Sequence, residues 1–190
     1  ELRNAIFESC LLGTGIIKGP FTYNKTLHKY GSTGNGTARE YKPEFVKVPR
    51  VEFVSVWDFY PDPNARNMNE AEYVIQRHRL NKSQFLDLAN RPFFNREQIL
   101  ECIKMGAKYE KKSWETDIDL EKSQYADIEN YRYEVLEYWG TIDAMSAREE
   151  GLQLDEDIED SAEVQVNVWM VRDKVIRIVE NPFKPFRTPY

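Results

Sequence analysis

The strongest constraint on how this chain can fold is a period of two near its C-terminal end. Val164, Val166, Val168 and Met170 alternate with polar neighbours. Such alternation belongs to a strand with one face in a core and the other turned to solvent. Tyr131, Tyr133, Val135 and Trp139 repeat the pattern, and Arg172-Asp173-Lys174 reads as a tight turn into a further strand over 175–179. Together these predict a three-stranded antiparallel meander with a long acidic insertion, 143–163, in its first connection. Residues 181–189 hold three prolines and cannot continue a central strand.

Upstream the pattern is mixed. Leu2, Ile6 and Cys10 recur at helical spacing, and Gly13 stops them, so 2–12 reads as a helix. Gly15 to Gly19 is a short buried strand. Residues 22–43, with Gly31, Gly34 and Gly36, read as a flexible loop or loose hairpin tip that Pro43 ends. Residues 45–60 read as extended, with Pro49 at a strand edge or bend. Tyr60-Pro61-Asp62-Pro63-Asn64 is a rigid turn, and 73–80 a further strand. Asn81-Lys82-Ser83-Gln84 and Asn95-Arg96-Glu97-Gln98 carry capping-box signals for two short helices. Residues 110–130 are charged and weakly periodic, a linker or exposed helix. The predicted class is α+β, antiparallel strands with several short helices. It divides into 1–80 (helix and strands with a Gly-rich loop), 81–130 (helices and charged linker) and 131–190 (meander with acidic insertion), or forms one domain overall.

Composition narrows the function. Hydrophobic residues at 41% supply a core. No apolar run approaches the roughly 20 residues of a membrane span, and Glu1 and Glu8 flank the only early apolar stretch, which argues against a signal peptide. The start without Met suggests a processed or excised piece. Charge is uneven: 1–110 carry a net +3 and 111–190 a net −9. No basic patch is dense enough for tight phosphate binding. Cys10 and Cys102 are expected as two buried thiols, with a disulfide left open by spacing alone. The sequons at Asn24, Asn35 and Asn81 matter only in a secretory context.

Each constellation that could carry chemistry has a plainer explanation. Gly13-Thr14-Gly15-Ile16-Ile17-Lys18-Gly19 closes a helix and opens a strand, the reverse of a dinucleotide fingerprint. His28 and His78 lie fifty residues apart with no cysteine pair, too sparse for zinc. His78, between Arg77 and Arg79, reads as a polar-face strand residue. Asp155-Glu156-Asp157 with Glu159 and Asp160 lacks the glycine and closing glutamate of a calcium loop, and reads as solvated and mobile, with few apolar anchors. Asp58 and Asp62 bracket the proline turn, where carboxylates accept backbone N–H bonds. No catalytic, cofactor-binding or metal-binding residue is assigned, no cofactor is expected, and the chain reads as not an enzyme.

An ordered series of segments rises above this background. It comprises Leu11-Leu12-Gly13-Thr14-Gly15-Ile16-Ile17-Lys18-Gly19, then Val51-Glu52-Phe53-Val54-Ser55-Val56-Trp57-Asp58-Phe59-Tyr60-Pro61-Asp62-Pro63-Asn64-Ala65. Glu72-Tyr73-Val74-Ile75-Gln76-Arg77-His78-Arg79-Leu80 follows, and last come Val135-Leu136-Glu137-Tyr138-Trp139-Gly140-Thr141-Ile142-Asp143 and Asn181-Pro182-Phe183. The order resembles the portal, or head-to-tail connector, proteins of tailed, podovirus-type bacteriophages. The Asp-Phe-Tyr-Pro-Asp-Pro turn followed by Tyr-Val-Ile-x-Arg is the most telling part. The resemblance implies a fragment of a longer subunit, from the wing with the adjoining stem or clip region. It implies a structural subunit of a homo-oligomeric ring, by family expectation a dodecamer, that forms the channel for DNA packaging and ejection and the head–tail attachment point. Its partners would be terminase, capsid, scaffold and tail adaptor proteins, with double-stranded DNA passing through without tight sequence-specific binding and with no membrane. Its location would be the virion, and the host cytoplasm during assembly. The fragment alone would be monomeric or weakly associated. Two alternatives remain: a non-catalytic protein-interaction module, and a metal-dependent hydrolase built from Asp58, Asp62 and the acidic loop.

Overall fold

The computed structural model of the chain describes residues 1–32, 39–68, 70–107, 132–155 and 157–190. The fold is α+β, with antiparallel sheets and four short helices among the described residues. It divides into two compact units, 1–57 with 189–190 and 58–188. The boundaries expected at 80/81 and 130/131 do not coincide with this division, because the strand that ends at Leu80 is hydrogen-bonded to the one that begins at Tyr133.

The first unit holds helix α1 (Leu2–Leu12) and strands β1 (Ile16–Ser32) and β2 (Arg39–Val54). Gly13 takes φ 79°, and its N–H bonds to the Ser9 carbonyl at 3.0 Å. The glycine cluster is thus a left-handed helix cap followed by strand entry. β1 and β2 form a two-stranded antiparallel ribbon, paired from Ile16 opposite Val54 to Ser32 opposite Arg39. Of the flexible loop or loose hairpin tip expected over 22–43, residues 22–32 and 39–43 are the paired strands of a hairpin, and 33–38 lie outside the described residues. Pro43 ends nothing: it sits in β2 opposite His28. The glycines suggested a loop, but Thr22, Tyr23, Thr26, Tyr30, Tyr41 and Phe45 are strand formers whose cross-strand pairs hold the ribbon. Pro49, opposite Thr22, is an edge residue as expected, since both strands of a two-stranded ribbon are edges.

α1 is seated differently from its sequence pattern. Only Ala5 is buried, while Leu2, Ile6, Phe7 and Leu11 are exposed. The helix is tied down by two carboxylates. Glu1 accepts the Phe53 N–H at 3.3 Å, and Glu8 accepts the Ser55 hydroxyl at 2.9 Å and the Val56 N–H at 3.0 Å. Cys10 is consequently exposed, not buried as expected, and both cysteines are free thiols.

The second unit is built on a five-stranded antiparallel sheet in the order β3 (Phe59–Pro61), β4 (Tyr73–Leu80), β5 (Tyr133–Asp143), β6 (Glu163–Val171), β7 (Lys174–Glu180). The expected meander is its second half, closed by a two-residue turn in which Arg172 has φ 58°. Helices α2 (Lys82–Leu88) and α3 (Arg96–Lys104) follow β4. Asn81 and Gln84 form a reciprocal capping box on α2, and Asn95 caps α3 by accepting the Glu97 and Gln98 N–H groups. Phe85, Leu88, Ile99 and Cys102 of these helices pack with Tyr133, Val135, Val171 and Ile176 on one sheet face. The segment 110–130 lies outside the described residues.

The opposite face is covered by α4 (Ala144–Glu149), where Ala144 joins Val164, Val166 and Val168. The acidic stretch that follows has more anchors than its composition suggests. Leu152, Leu154 and Ile158 pack on the same cluster. Arg148 donates to the Asp155 carbonyl at 3.1 Å and the Ile158 carbonyl at 2.6 Å, and pairs with Asp160. The solvated loop expected there is held by apolar contacts and one guanidinium. No helix among the described residues is long and apolar enough to cross a membrane.

The proline turn is built as expected. Buried Asp62 accepts the Asn64 N–H at 2.9 Å and the Glu72 N–H at 3.3 Å, and its own N–H reaches the Tyr73 carbonyl at 3.1 Å. Its carboxylate thus joins both ends of the connection from β3 to β4. Replacing Asp62 with Ala strands two backbone donors and is expected to lower stability by about 1–2 kcal/mol in urea denaturation.

Candidate functional site

The alternation in β4 to β7 leaves polar residues on the face that α2 and α3 cover. Cross-strand pairing sets Gln76 beside Glu137, Glu137 beside Trp169, and Trp169 beside Arg177. One row of the sheet therefore carries an amide, a carboxylate, an indole and a guanidinium in register. The neighbouring row adds Trp139 beside Asn167. Glu137 is 2% exposed and Asn167 fully buried, so the side of β6 expected to face solvent is interior, and it meets the side of β5 that carries Val135 and Trp139.

A buried carboxylate persists only when its lone pairs are matched. Glu137 accepts the Trp139 indole N–H at 2.8 Å and the Asn167 amide at 3.4 Å on one oxygen, and sits 2.7 Å from His78 Nε2 on the other. Asn167 relays the network. Its Oδ1 accepts from Trp169 Nε1 at 2.9 Å and Arg177 Nη1 at 3.0 Å, two groups that can only donate. The amide orientation is therefore dictated by chemistry, with Nδ2 left to face Glu137 and the Tyr138 carbonyl. His78 stacks on Trp169 at 4.8 Å, and Phe94 meets the same indole edge-on at 5.4 Å while lying under Arg177. Burial lowers the Arg177 guanidinium from its ordinary value, and Glu137 opposes that shift.

The cluster contains a histidine oriented by a carboxylate, which is the base-and-orienter half of a catalytic triad. Among the described residues no hydroxyl or thiol is hydrogen-bonded to His78. Cys102 lies in the apolar cluster under α3, where burial pushes its thiol up against the pull of Lys174 and Arg172. The arrangement orders four strands and their two indoles.

The other residues singled out in the sequence are scattered. Asp58 pairs with Arg77 at 2.8 Å and Arg79 at 3.2 Å. Asp62 is engaged in its turn. His28 is on the ribbon, its Nδ1 2.7 Å from the Tyr41 hydroxyl, and His78 is in the other unit. No three His, Cys, Asp or Glu among the described residues are grouped to hold a metal. The alternative site of Asp58, Asp62 and the acidic loop is thus not assembled among them.

A second feature is a surface. Tyr30, Tyr41, His28 and Phe45 share one face of the ribbon, with Phe45 74% and Tyr30 65% exposed. Tyr41 links its neighbours, 5.5 Å from Tyr30 and 5.8 Å from His28. The ribbon, 16–54, carries seven Lys and Arg against three Asp and Glu. The first unit as a whole has a net charge of +3 and the second −9.

The chain matches no known family model, and no curated protein is similar to it.

Replacing Glu137 with Ala would take an acceptor from the Trp139 indole and one from the Asn167 amide. The expected cost is about 3 kcal/mol. In a double-mutant cycle, adding His78→Ala to Glu137→Ala should cost at least about 1 kcal/mol less than the two single changes summed. Additive losses would show that His78 and Glu137 are not coupled.

Proposed function

We propose that this chain is part of a structural subunit of a phage portal ring, in which repeated copies frame the channel for DNA packaging and ejection and the attachment point of the tail. The observation that carries the reading is the ordered set of portal-like segments, which falls on the junctions of the fold. Leu11 to Gly19 is the passage from α1 into β1. Val51 to Ala65 runs from the end of β2 through β3 into the Asp62 turn. Glu72 to Leu80 is β4, Val135 to Asp143 lies in β5, and Asn181 to Phe183 is the exit from β7. Asn181 itself is buried, its amide donating to the Phe186 and Arg187 carbonyls at 2.7 and 3.0 Å.

The surfaces suit such a role. A cyclic assembly needs two unlike faces on each copy, and this chain carries a basic unit and a strongly acidic one. The partners of the ring would be those of the portal family: terminase, capsid, scaffold and tail adaptor proteins, with DNA in transit. The exposed apolar side of α1 and the aromatic face of the ribbon also suit a protein-interaction module that does not close into rings.

Negative-stain micrographs of the intact gene product separate the two readings. Closed rings with a central hole are expected. A full-length protein that stays monomeric at micromolar concentration, with no rings, would sink the portal reading.

A further inference from the structure

The five-stranded sheet ends at β7, and no strand among the described residues pairs with its outer edge. Strand alternation turns the N–H and C=O of Ile178 and Glu180 outward, away from β6, and Ile176 is the unpaired residue of a bulge between Val175 and Arg177. The Ile176 carbonyl is taken by the Asn95 N–H at 2.7 Å. The outward groups of Ile178 have no hydrogen bond among the described residues. An uncapped edge of this kind is a template for a further strand.

The surroundings shape the edge into a slot. Phe93 and Gln98 at the start of α3 stand on one side and Gly151 and Leu152 after α4 on the other, and the groove between them measures about 870 Å³. The two helical layers thus cover the sheet faces and leave the edge itself open. Two buried polar atoms of groove-lining residues, Gln98 Oε1 and Arg177 Nε, have no hydrogen-bond partner among the described residues. Native interiors rarely leave such atoms unmatched. Glu150 and Glu180 line the same groove.

We infer that this slot receives the β1–β2 ribbon of a second copy of the chain, which adds a strand to the outer edge of β7. Among the described residues each ribbon strand pairs with no strand but the other, so each has an outer edge that no third strand meets, although the Gly19 N–H at the base reaches the Pro189 carbonyl. Charge selects the ribbon: it is net basic, whereas the unit that holds the slot has a net charge of −9. Strand addition supplies backbone hydrogen bonds, and the opposite charges set which element enters. The contact is head-to-tail, ribbon to slot, and leaves one ribbon and one slot open at the ends of any chain of copies. The inference rests on the ring reading only for closure of that chain.

Proline at 178 removes an outward N–H and leaves the pairing with β6 intact, which an edge strand tolerates. Ile178→Ala makes the same loss of side-chain packing and keeps the N–H. Sedimentation of the 190-residue chain at low salt, up to about 0.1 mM, is expected to show self-association in the wild type and in Ile178→Ala. Ile178→Pro should weaken it about tenfold or more. Lys25→Glu with Lys47→Glu should also abolish it, as should Glu150→Lys with Glu180→Lys, and mixing these two charge-reversed proteins should restore it. A wild type that stays monomeric, an Ile178→Pro that associates like Ile178→Ala, or charge-reversed proteins that ignore each other would each overturn the slot. Rings of the intact product that persist with Ile178→Pro would overturn the slot and keep the ring reading. Slot-dependent association that yields only open filaments would keep the slot and remove the ring.

Discussion

A carboxylate in the middle of a sheet, closed off from water, sets terms that its neighbours must meet. At 2% exposure the Glu137 carboxyl group needs a hydrogen-bond partner on each oxygen. The Trp139 indole N–H and the Asn167 amide serve one oxygen, and His78 faces the other. Asn167 can face Glu137 only because Trp169 and Arg177 hold its carbonyl end. Residues from β4, β5, β6 and β7 are therefore bound into one network. A slip of one residue in any of these strands would turn its contribution to the other face and break the set. Apolar packing under α2 and α3 makes the unit stable, and the polar row makes its register unique.

The parts of the fold that depend on neighbours in sequence were legible. α1 spans the expected residues, β4 has the expected bounds, and the Asn81 and Asn95 caps and the turn at Arg172 are where their residues point. The parts that depend on partners distant in sequence were not. The ribbon was hidden because glycine and polar residues dominate its outer half, while its stability comes from pairs such as Tyr30 with Tyr41. The stripe of Leu2, Ile6 and Cys10 promised a buried face, but Glu1 and Glu8 fix the helix with that stripe outward. The acidic stretch looked unanchored because eight acids surround three well-spaced apolar residues, which charge averaging conceals.

The buried polar row was the least legible feature of all. The alternation of Val164, Val166, Val168 and Met170 assigns Asn167 to solvent, while Glu137 falls on the side of Tyr133, Val135 and Trp139, where a carboxylate is out of place. The one available signal was that Trp169 lies two residues from Asn167 on the side assigned to solvent, as Trp139 lies two residues from Glu137. An indole on a supposedly wet face implies that something covers it. Here the cover is α2 and α3, whose core residues come from a separate stretch of chain.

The ribbon has a mechanical consequence. Its strands span 17 and 16 residues, a length on the order of 50 Å. Most of that length is a single ladder of hydrogen bonds, with no third strand beside it among the described residues. A force that spreads its two strands apart meets those bonds one pair at a time and peels them in sequence. A force along the strands loads every pair in parallel. The ribbon is thus stiff against tension along its axis and compliant to force across it, and the direction of load decides whether it transmits a pull or yields to it.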